Sequence, residues 1–323
     1  MNLTDSVRLK LNDYGQNRTP FLFVFDFLMQ KPLIFLPDES IPVYYSFRGK
    51  SNLYPKSAFT ADSVFNRIPV SSEHYKTGFD CVMNHLRYGN SFLTNYTQPT
   101  QISTNLTLEE IYCRSTARYK LLVPDEFVFF SPETFITIDK TGIIRSFPMK
   151  GTIDASVPDA EHKILTDSKE MAEHNTIVDL IRNDLSKVAK QVRVSRFRYI
   201  DYLKTRNKDL LQVSSEISGF LGLDYHQHIG DILLSLLPAG SVSGAPKKRT
   251  VEIIRESERY ERGYYTGVAG LYDGNSLDST VMIRFIEKSG NKLIYKSGGG
   301  ITINSNVEKE YQELIDKVYV PFD

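Results

Sequence analysis

The sequence predicts an α+β protein. Helical and strand-like segments alternate along its 323 residues with no regular strand–helix–strand rhythm, which argues against a doubly wound parallel sheet. Short aromatic runs, punctuated by Pro32, Pro37 and Pro42, read as strands between residues 21 and 47. Hydrophobic content of 41%, with 19 Tyr and 19 Phe, is ample for a sizeable core.

Phe21 to Leu28 is too short to span a bilayer, contains Asp26, and reads as a buried strand. Residues 72–88 have helical character, Asn90 to Ile102 reads as a strand, and Leu106 to Tyr119 as a helix. Glu126 to Thr137 and Ile143 to Phe147 form an expected strand pair turning at Asp139-Lys140-Thr141-Gly142. A long helix is expected over about 168–190. Its middle, Ile177 to Ile181, is apolar nearly all round, which predicts a central position. Another helix starts near Pro246, and strands are expected at 264–272, 278–287 and 292–297. Near the C-terminus, Ser305 with Glu308 reads as a capping box. The helix it opens carries an apolar stripe of Val307, Tyr311, Leu314, Ile315 and Val318.

Lys plus Arg (39) equal Asp plus Glu (39), so a general nucleic-acid or anionic-membrane partner is disfavoured. Two cysteines, Cys81 and Cys113, cannot build a disulfide framework and have no zinc-site spacing. The six histidines offer no helical His-x-x-x-His pair or thiolate partner, so zinc is not expected. The N-terminus has no signal-peptide architecture, and the cytoplasm is the expected compartment.

Several constellations carry possible chemistry. Gly298-Gly299-Gly300 frees the backbone for close approach to a ligand. Glu310 and Glu313 follow one turn apart, with Lys317 nearby. Glu170 and Glu173 form a second such pair, and oxygen-only ligation suits Mg²⁺. Solvated acids on two helices have the same spacing, so both readings stand at this point. Asp179 and Arg182 are spaced to pair on the long helix. Gly240 to Lys247 fails the Walker pattern and Gly298 to Gly300 fails G-x-G-x-x-G, which disfavours nucleotide binding. The former still suits a backbone nest at a helix N-terminus. Lys150 sits between a Pro-Met pair and a glycine. A lone lysine is usually solvated, and a nucleophilic one needs its charge disfavoured by burial or a neighbouring cation. Glu133, one strand pair upstream, would complement an amine nucleophile as a carboxylic acid.

Taken in order, these blocks resemble the chorismate-utilising enzymes. The resemblance covers residues 71–323. It runs through Ser131-Pro132-Glu133, Pro148 to Thr152, Glu170 to His174, Ile177 to Asp184, Gly240 to Lys247, Arg262 to Gly267, Ile283-Arg284 and Gly298 to Lys317. It implies two large, mainly antiparallel β-sheets packed as a sandwich with helices outside. Residues 71–323 would form the catalytic core, and residues 1–70 a short β-rich segment packed on it, one compact unit overall.

Lys150 discriminates within the family. Anthranilate synthases typically carry alanine there, and bacterial-type aminodeoxychorismate synthases this lysine. The resemblance implies attack of Lys150 on C2 of chorismate while Glu133 protonates the departing 4-hydroxyl. Ammonia then adds at C4 and expels the lysine. Isochorismate synthases use a lysine base in the segment matching Gly89 to Asn95, where Leu93 stands here. By the same resemblance Mg²⁺ sits among Glu170, Glu173, Glu310 and Glu313, and Tyr265, Arg284, Gly299, Gly300, Lys317 and Thr152 hold the substrate. Gln212 replaces a histidine common in relatives. The region before residue 71 is shorter than in most of them, so a tryptophan site is not expected. No G-x-C-x-G nucleophile turn surrounds either cysteine, so a separate glutamine amidotransferase is the implied ammonia source. Anthranilate or isochorismate synthesis, or a catalytically silent chorismate-binding subunit, are the alternatives.

Overall fold

The computed structural model describes residues 2–37, 42–52, 64–203 and 209–320. The chain opens with helix α1 (Leu3–Gln16) and strands β1 (Phe21–Phe25), β2 (Leu33–Phe35), β3 (Tyr44–Phe47), β4 (Lys50–Ser51) and β5 (Phe65–Pro69). Helix α2 (Ser72–Arg87), strand β6 (Leu93–Thr104) and helix α3 (Leu108–Arg114) follow. Next come β7 (Tyr119–Val123), β8 (Phe127–Ser131), β9 (Thr134–Ile138), β10 (Ile143–Ser146) and β11 (Met149–Asp154). Helices α4 (Ala160–Thr166) and α5 (Ser168–Leu185) precede strands β12 (Lys190–Leu203) and β13 (Leu210–Phe220). The last part holds α6 (Ile229–Leu236), β14 (Gly244–Ala245), α7 (Lys247–Glu258), β15 (Val268–Tyr272), β16 (Leu277–Val281), β17 (Phe285–Ser289), β18 (Lys292–Ile301) and α8 (Val307–Asp316). Among the described residues the strands make two large, mainly antiparallel sheets of nine strands each, with helices besides, as the α+β reading predicts. None of the described helices is long and apolar enough to cross a membrane.

The chain divides into two compact units, each assembled from three separate stretches. The first contains residues 1–21, 133–241 and 272–279. Its strands run in the order β11-β13-β10-β9, with β12 also paired to β13, every pairing antiparallel. Helix α5 lies on β11, β12 and β13. It buries Glu173, His174, Ile177, Val178, Ile181, Asp184 and Leu185 while Asp179, Arg182 and Asn183 face solvent. The expectation of an all-round apolar, central helix is therefore corrected. The buried positions recur at helical spacing on one face, and the Asp179–Arg182 pair (2.6 Å) is exposed. Helix α1 packs on α6, an element the sequence reading did not assign. His228 at the start of α6 makes no side-chain cap. Instead Asn12 of α1 accepts hydrogen bonds through Oδ1 from the Gly230 and Asp231 amides at 2.8 and 3.3 Å. Arg8 pairs with Asp231 at 3.2 Å.

The second unit contains residues 22–132, 242–271 and 280–323. It holds one whole sheet, ordered β14-β6-β18-β17-β8-β7-β3-β4 with β5 on β6, again antiparallel throughout. Two apolar clusters lie under its helices. One gathers Ile111 and Tyr112 of α3 with Phe130, Ile286 and Tyr295. The other gathers Tyr75, Phe79 and Val82 of α2 with Ile253 of α7 and Leu314 of α8. Glu258, at the end of α7, is almost wholly buried, yet its charge is satisfied. It accepts from the Thr97 amide and hydroxyl, both at 2.8 Å, and from Arg262 Nε at 2.9 Å and Nη2 at 2.5 Å. A buried charge needs such a set of partners to be tolerated.

Several element boundaries differ from expectation for local reasons. The strand expected over 126–137 is two strands, broken at Pro132-Glu133. The helix expected over 106–119 ends at Arg114, and Tyr119 opens β7. The stretch 278–287 breaks at Met282-Ile283-Arg284, where Arg284 takes φ 52°. The N-cap of α8 is Asn306, whose Oδ1 accepts from the Lys309 amide at 3.0 Å. Ser305 instead accepts from the Thr302 amide.

Candidate functional site

Lys150 and Gly151 interrupt the pairing of β11 with β13. Met149 faces Ser214 and Thr152 faces Gln212, with a register shift between them. Gly151 takes φ +79°, a conformation open to glycine at little cost. Such a bulge turns a side chain out of the regular alternation. The Lys150 Nζ thereby donates to Glu173 Oε2 at 3.1 Å, and the two side chains are only 24% and 10% exposed. Glu170, one turn earlier on α5, also borders the bulge: a Cβ on Gly151 would lie 3.2 Å from its Oε2. Thr152 is exposed and accepts a long hydrogen bond (3.4 Å) from Gln212 Nε2, so the residue that departs from the histidine pattern faces Thr152 across the strands.

His174 follows Glu173 and is fully buried. Its Nε2 lies 2.6 Å from the Ser215 hydroxyl, which accepts from the Arg198 amide. Burial, then the nearby Arg198 and Lys150 charges, push its pKa down to about 4. It is a neutral imidazole beside the lysine at ordinary pH. Among the described residues its Nδ1 finds no hydrogen-bond partner. In the sequence His174 stands in the Glu170 to His174 block with no role expected of it. A histidine directly after the second acid of the pair was the available signal. Glu133 stands in the same unit at the Pro132 break and accepts a hydrogen bond from the Ser241 hydroxyl. A small cavity borders it, lined by Phe135, Phe147, Pro148, Asp184 and Gly240 among others.

In the second unit the glycine run continues a strand. Gly298, Gly299 and Gly300 are strand residues of β18, facing Thr97, Tyr96 and Asn95 of β6. Gly298 and Gly299 have different reasons to lack a side chain. A Cβ on Gly298 would come within 2.2 Å of the Tyr96 carbonyl oxygen. A Cβ on Gly299 would meet Glu313 Oε1 at 3.3 Å, Glu310 Oε2 at 3.4 Å and Lys317 Nζ at 3.7 Å. Both carboxylates and the lysine thus converge on one glycine. Glu310 is buried, and Lys317 donates to Glu313 Oε1 at 2.5 Å and to the Gly298 carbonyl at 2.9 Å.

Arg284 donates through Nη1 to the Lys317 carbonyl at 3.1 Å, and its guanidinium lies 4.8 Å from the Tyr319 ring centre. Burial disfavours its charge, but the surrounding Tyr295, Tyr319 and Tyr265 hydroxyls outweigh this and raise its pKa. Arg284 and Thr266 both hold positive φ (52° and 60°). In non-glycine residues this is backbone strain of the kind found at functional sites. Tyr265 is buried, with its ring 6.0 Å from that of Phe285. Leu93 is buried at the start of β6, with no group able to take a proton.

Two acid pairs with these surroundings suit a hard cation. Within each unit the acid pair abuts a glycine whose missing side chain leaves room beside the oxygens.

Residues 48–323 match the family of chorismate binding enzymes, and the chain belongs to it. An uncharacterised PabA-like protein of Haemophilus influenzae is 50% identical over 314 residues, 97% of this chain and 95% of that protein. Anthranilate synthase component 1 of Acetivibrio thermocellus is 31% identical over 77% of this chain and 52% of its own length. Aminodeoxychorismate synthase component 1 of Bacillus subtilis is 30% identical over 78% and 55%. The menaquinone-specific isochorismate synthase of Escherichia coli shares the fold, with a TM-score of 0.75 at 17% identity, covering 98% of this chain and 81% of that one.

Proposed function

We propose that this chain is the chorismate-converting subunit of an aminodeoxychorismate synthase. One observation carries the reading: a lysine, Lys150, stands on the bulge of β11, hydrogen-bonded to Glu173 at 3.1 Å. A lysine fixed on a strand and hydrogen-bonded to a buried carboxylate is positioned to serve as base or nucleophile. The similarity to the Bacillus subtilis synthase supports the reading.

In this chemistry the uncharged Lys150 amine forms a bond to C2 of chorismate. The ring double bonds shift, and the 4-hydroxyl leaves as water with a proton from Glu133. Ammonia then bonds to C4, the electrons return, and the Lys150 amine departs. The sum is chorismate plus ammonia giving 4-amino-4-deoxychorismate plus water. Lys150 occupies C2 meanwhile, so ammonia cannot add there and anthranilate is not formed. Ser241 holds the Glu133 carboxyl in place. Arg284, Lys317 and Tyr265, with Thr152 and the backbone of Gly299 and Gly300, hold the substrate. An arginine fork suits a carboxylate. Glu170, Glu173, Glu310 and Glu313 would hold Mg²⁺, which supplies Lewis-acid neutralisation of a substrate carboxylate when bound. A partner glutamine amidotransferase delivers the ammonia.

The test is product identification after incubating the purified chain with chorismate, Mg²⁺ and ammonium salt. Aminodeoxychorismate is expected, with a chorismate-derived adduct on intact mass that vanishes in Lys150→Ala. Anthranilate or isochorismate as the product would overturn the assignment, and neither turnover nor adduct would favour a silent subunit.

A further inference from the structure

Away from the residues above, helix α2 carries Cys81 and His85 one turn apart, on the face toward α7. The expectation that no histidine has a thiolate partner is corrected here, since Cys81-x-x-x-His85 brings the two together on one helix face. The two helices come close because residue 78 is glycine: a Cβ there would lie 2.6 Å from the Ser257 carbonyl oxygen of α7. That approach brings Glu256 of α7 between the two. Its Oε1 lies 3.7 Å from Cys81 Sγ, and its Oε2 3.2 Å from His85 Nε2. Among the described residues this is the group in which three or more Cys, His, Asp or Glu ligand atoms all fall within 4.8 Å of one another. A tetrahedral zinc with bonds of about 2.0–2.3 Å needs its ligands about 3.3–3.7 Å apart. The two Glu256 contacts, 3.7 and 3.2 Å, are close to that spacing.

Asn90, just past the end of α2, is placed to orient the imidazole as a ligand. Its side-chain amide Nδ2 lies 2.9 Å from His85 Nδ1. Its own backbone amide donates to the His85 carbonyl at 2.9 Å. Turned with its oxygen toward Nδ1, that amide accepts the Nδ1 proton and leaves the Nε2 lone pair facing Cys81 and Glu256. Sulfur, nitrogen and one carboxylate form a softer donor set than four carboxylates, and soft donors select zinc-class ions over Mg²⁺.

We propose that Cys81, His85 and Glu256 bind one thiophilic divalent cation of the zinc class, with solvent in the fourth position, clipping α2 to α7. The site is independent of the reaction assigned above, and its tests do not read activity.

The first test uses the unaltered chain in excess Mg²⁺, with zinc ion as the probe. Alkylation of Cys81, followed by peptide mass spectrometry, is expected to slow about tenfold or more on adding Zn²⁺, while Cys113 reacts as before. The second uses Co²⁺. One equivalent should give a thiolate-to-cobalt charge-transfer band that is lost in Cys81→Ser and kept in Cys113→Ser. Asn90→Ala should weaken the ion's affinity about 10- to 100-fold. Unchanged Cys81 alkylation with Zn²⁺, Co²⁺ bound without the band, or a band that survives Cys81→Ser would each overturn the proposal.

Discussion

The two carboxylate pairs share a spacing and a setting, yet they acquire their lysines differently. Glu170 and Glu173 lie on α5 beside Gly151; Glu310 and Glu313 lie on α8 beside Gly299. Lys317 reaches Glu313 along its own helix, at i,i+4, as periodicity alone arranges. Lys150 reaches Glu173 from a different element, and only because β11 bulges. Burial follows the same division: the Glu173 side chain is 10% exposed and that of Glu313 51%. A lysine aimed by tertiary structure at a buried acid suits a reacting group. A lysine one turn along a surface helix suits an anchor.

The strongest way to break that contrast is to remove each amine. Lys150→Ala is expected to cut aminodeoxychorismate formation by about a thousandfold, toward the upper end of what one positioned group supplies. Lys317→Ala should cost about tenfold, mostly in KM, as loss of one exposed charged contact does. Similar losses for both, by steady-state kinetics, would erase the distinction. Glu133→Gln comes next, with an expected loss of about a hundredfold in kcat.

The glycines separate packing from site. Gly298→Ala drives a Cβ into the Tyr96 carbonyl and should destabilise the fold by about 1–3 kcal/mol in urea titrations. Gly299→Ala meets only the tips of Glu310, Glu313 and Lys317. It should leave stability nearly unchanged while weakening Mn²⁺ binding, read by electron paramagnetic resonance, about tenfold.

The last comparison concerns pH. His174 and His226 are both buried, and burial first, then nearby cations, hold each pKa at about 4. Unfolded histidine titrates near 6.5. The unfolded chain therefore binds more protons between these values, and stability falls as pH drops from about 6.5 through about 4. Urea midpoints across that window should show the decline, and His174→Asn should make it shallower.

Much of this was legible in the sequence, because local chemistry decides it. The apolar stripe of α8 and the start of α2 follow from side-chain periodicity and a serine cap. Both acid pairs follow from helix spacing. What was missed depends on partners far along the chain. Gly298 to Gly300 look like a turn until β6 is known to lie alongside. Ser305 and Asn306 are both good caps, and which one serves depends on where Thr302 leaves β18. The apolar middle of α5 hid a solvent face that includes Asp179. The bulge at Lys150 has one local sign, the glycine after it. The Glu258–Arg262 pair has the i,i+4 spacing, but nothing local marks Thr97, which completes its network.

The cap that α6 takes from α1 has a practical consequence for anyone trimming this polypeptide. A shortened version starting at residue 21 would keep every acid and lysine discussed above, yet leave the Gly230 and Asp231 amides without Asn12. Loss of a cap costs about 1–2 kcal/mol, and the Arg8 contact to Asp231 goes with it. The opening fourteen-residue helix is thus a support for a segment more than two hundred positions downstream, and expression designs are best begun ahead of it.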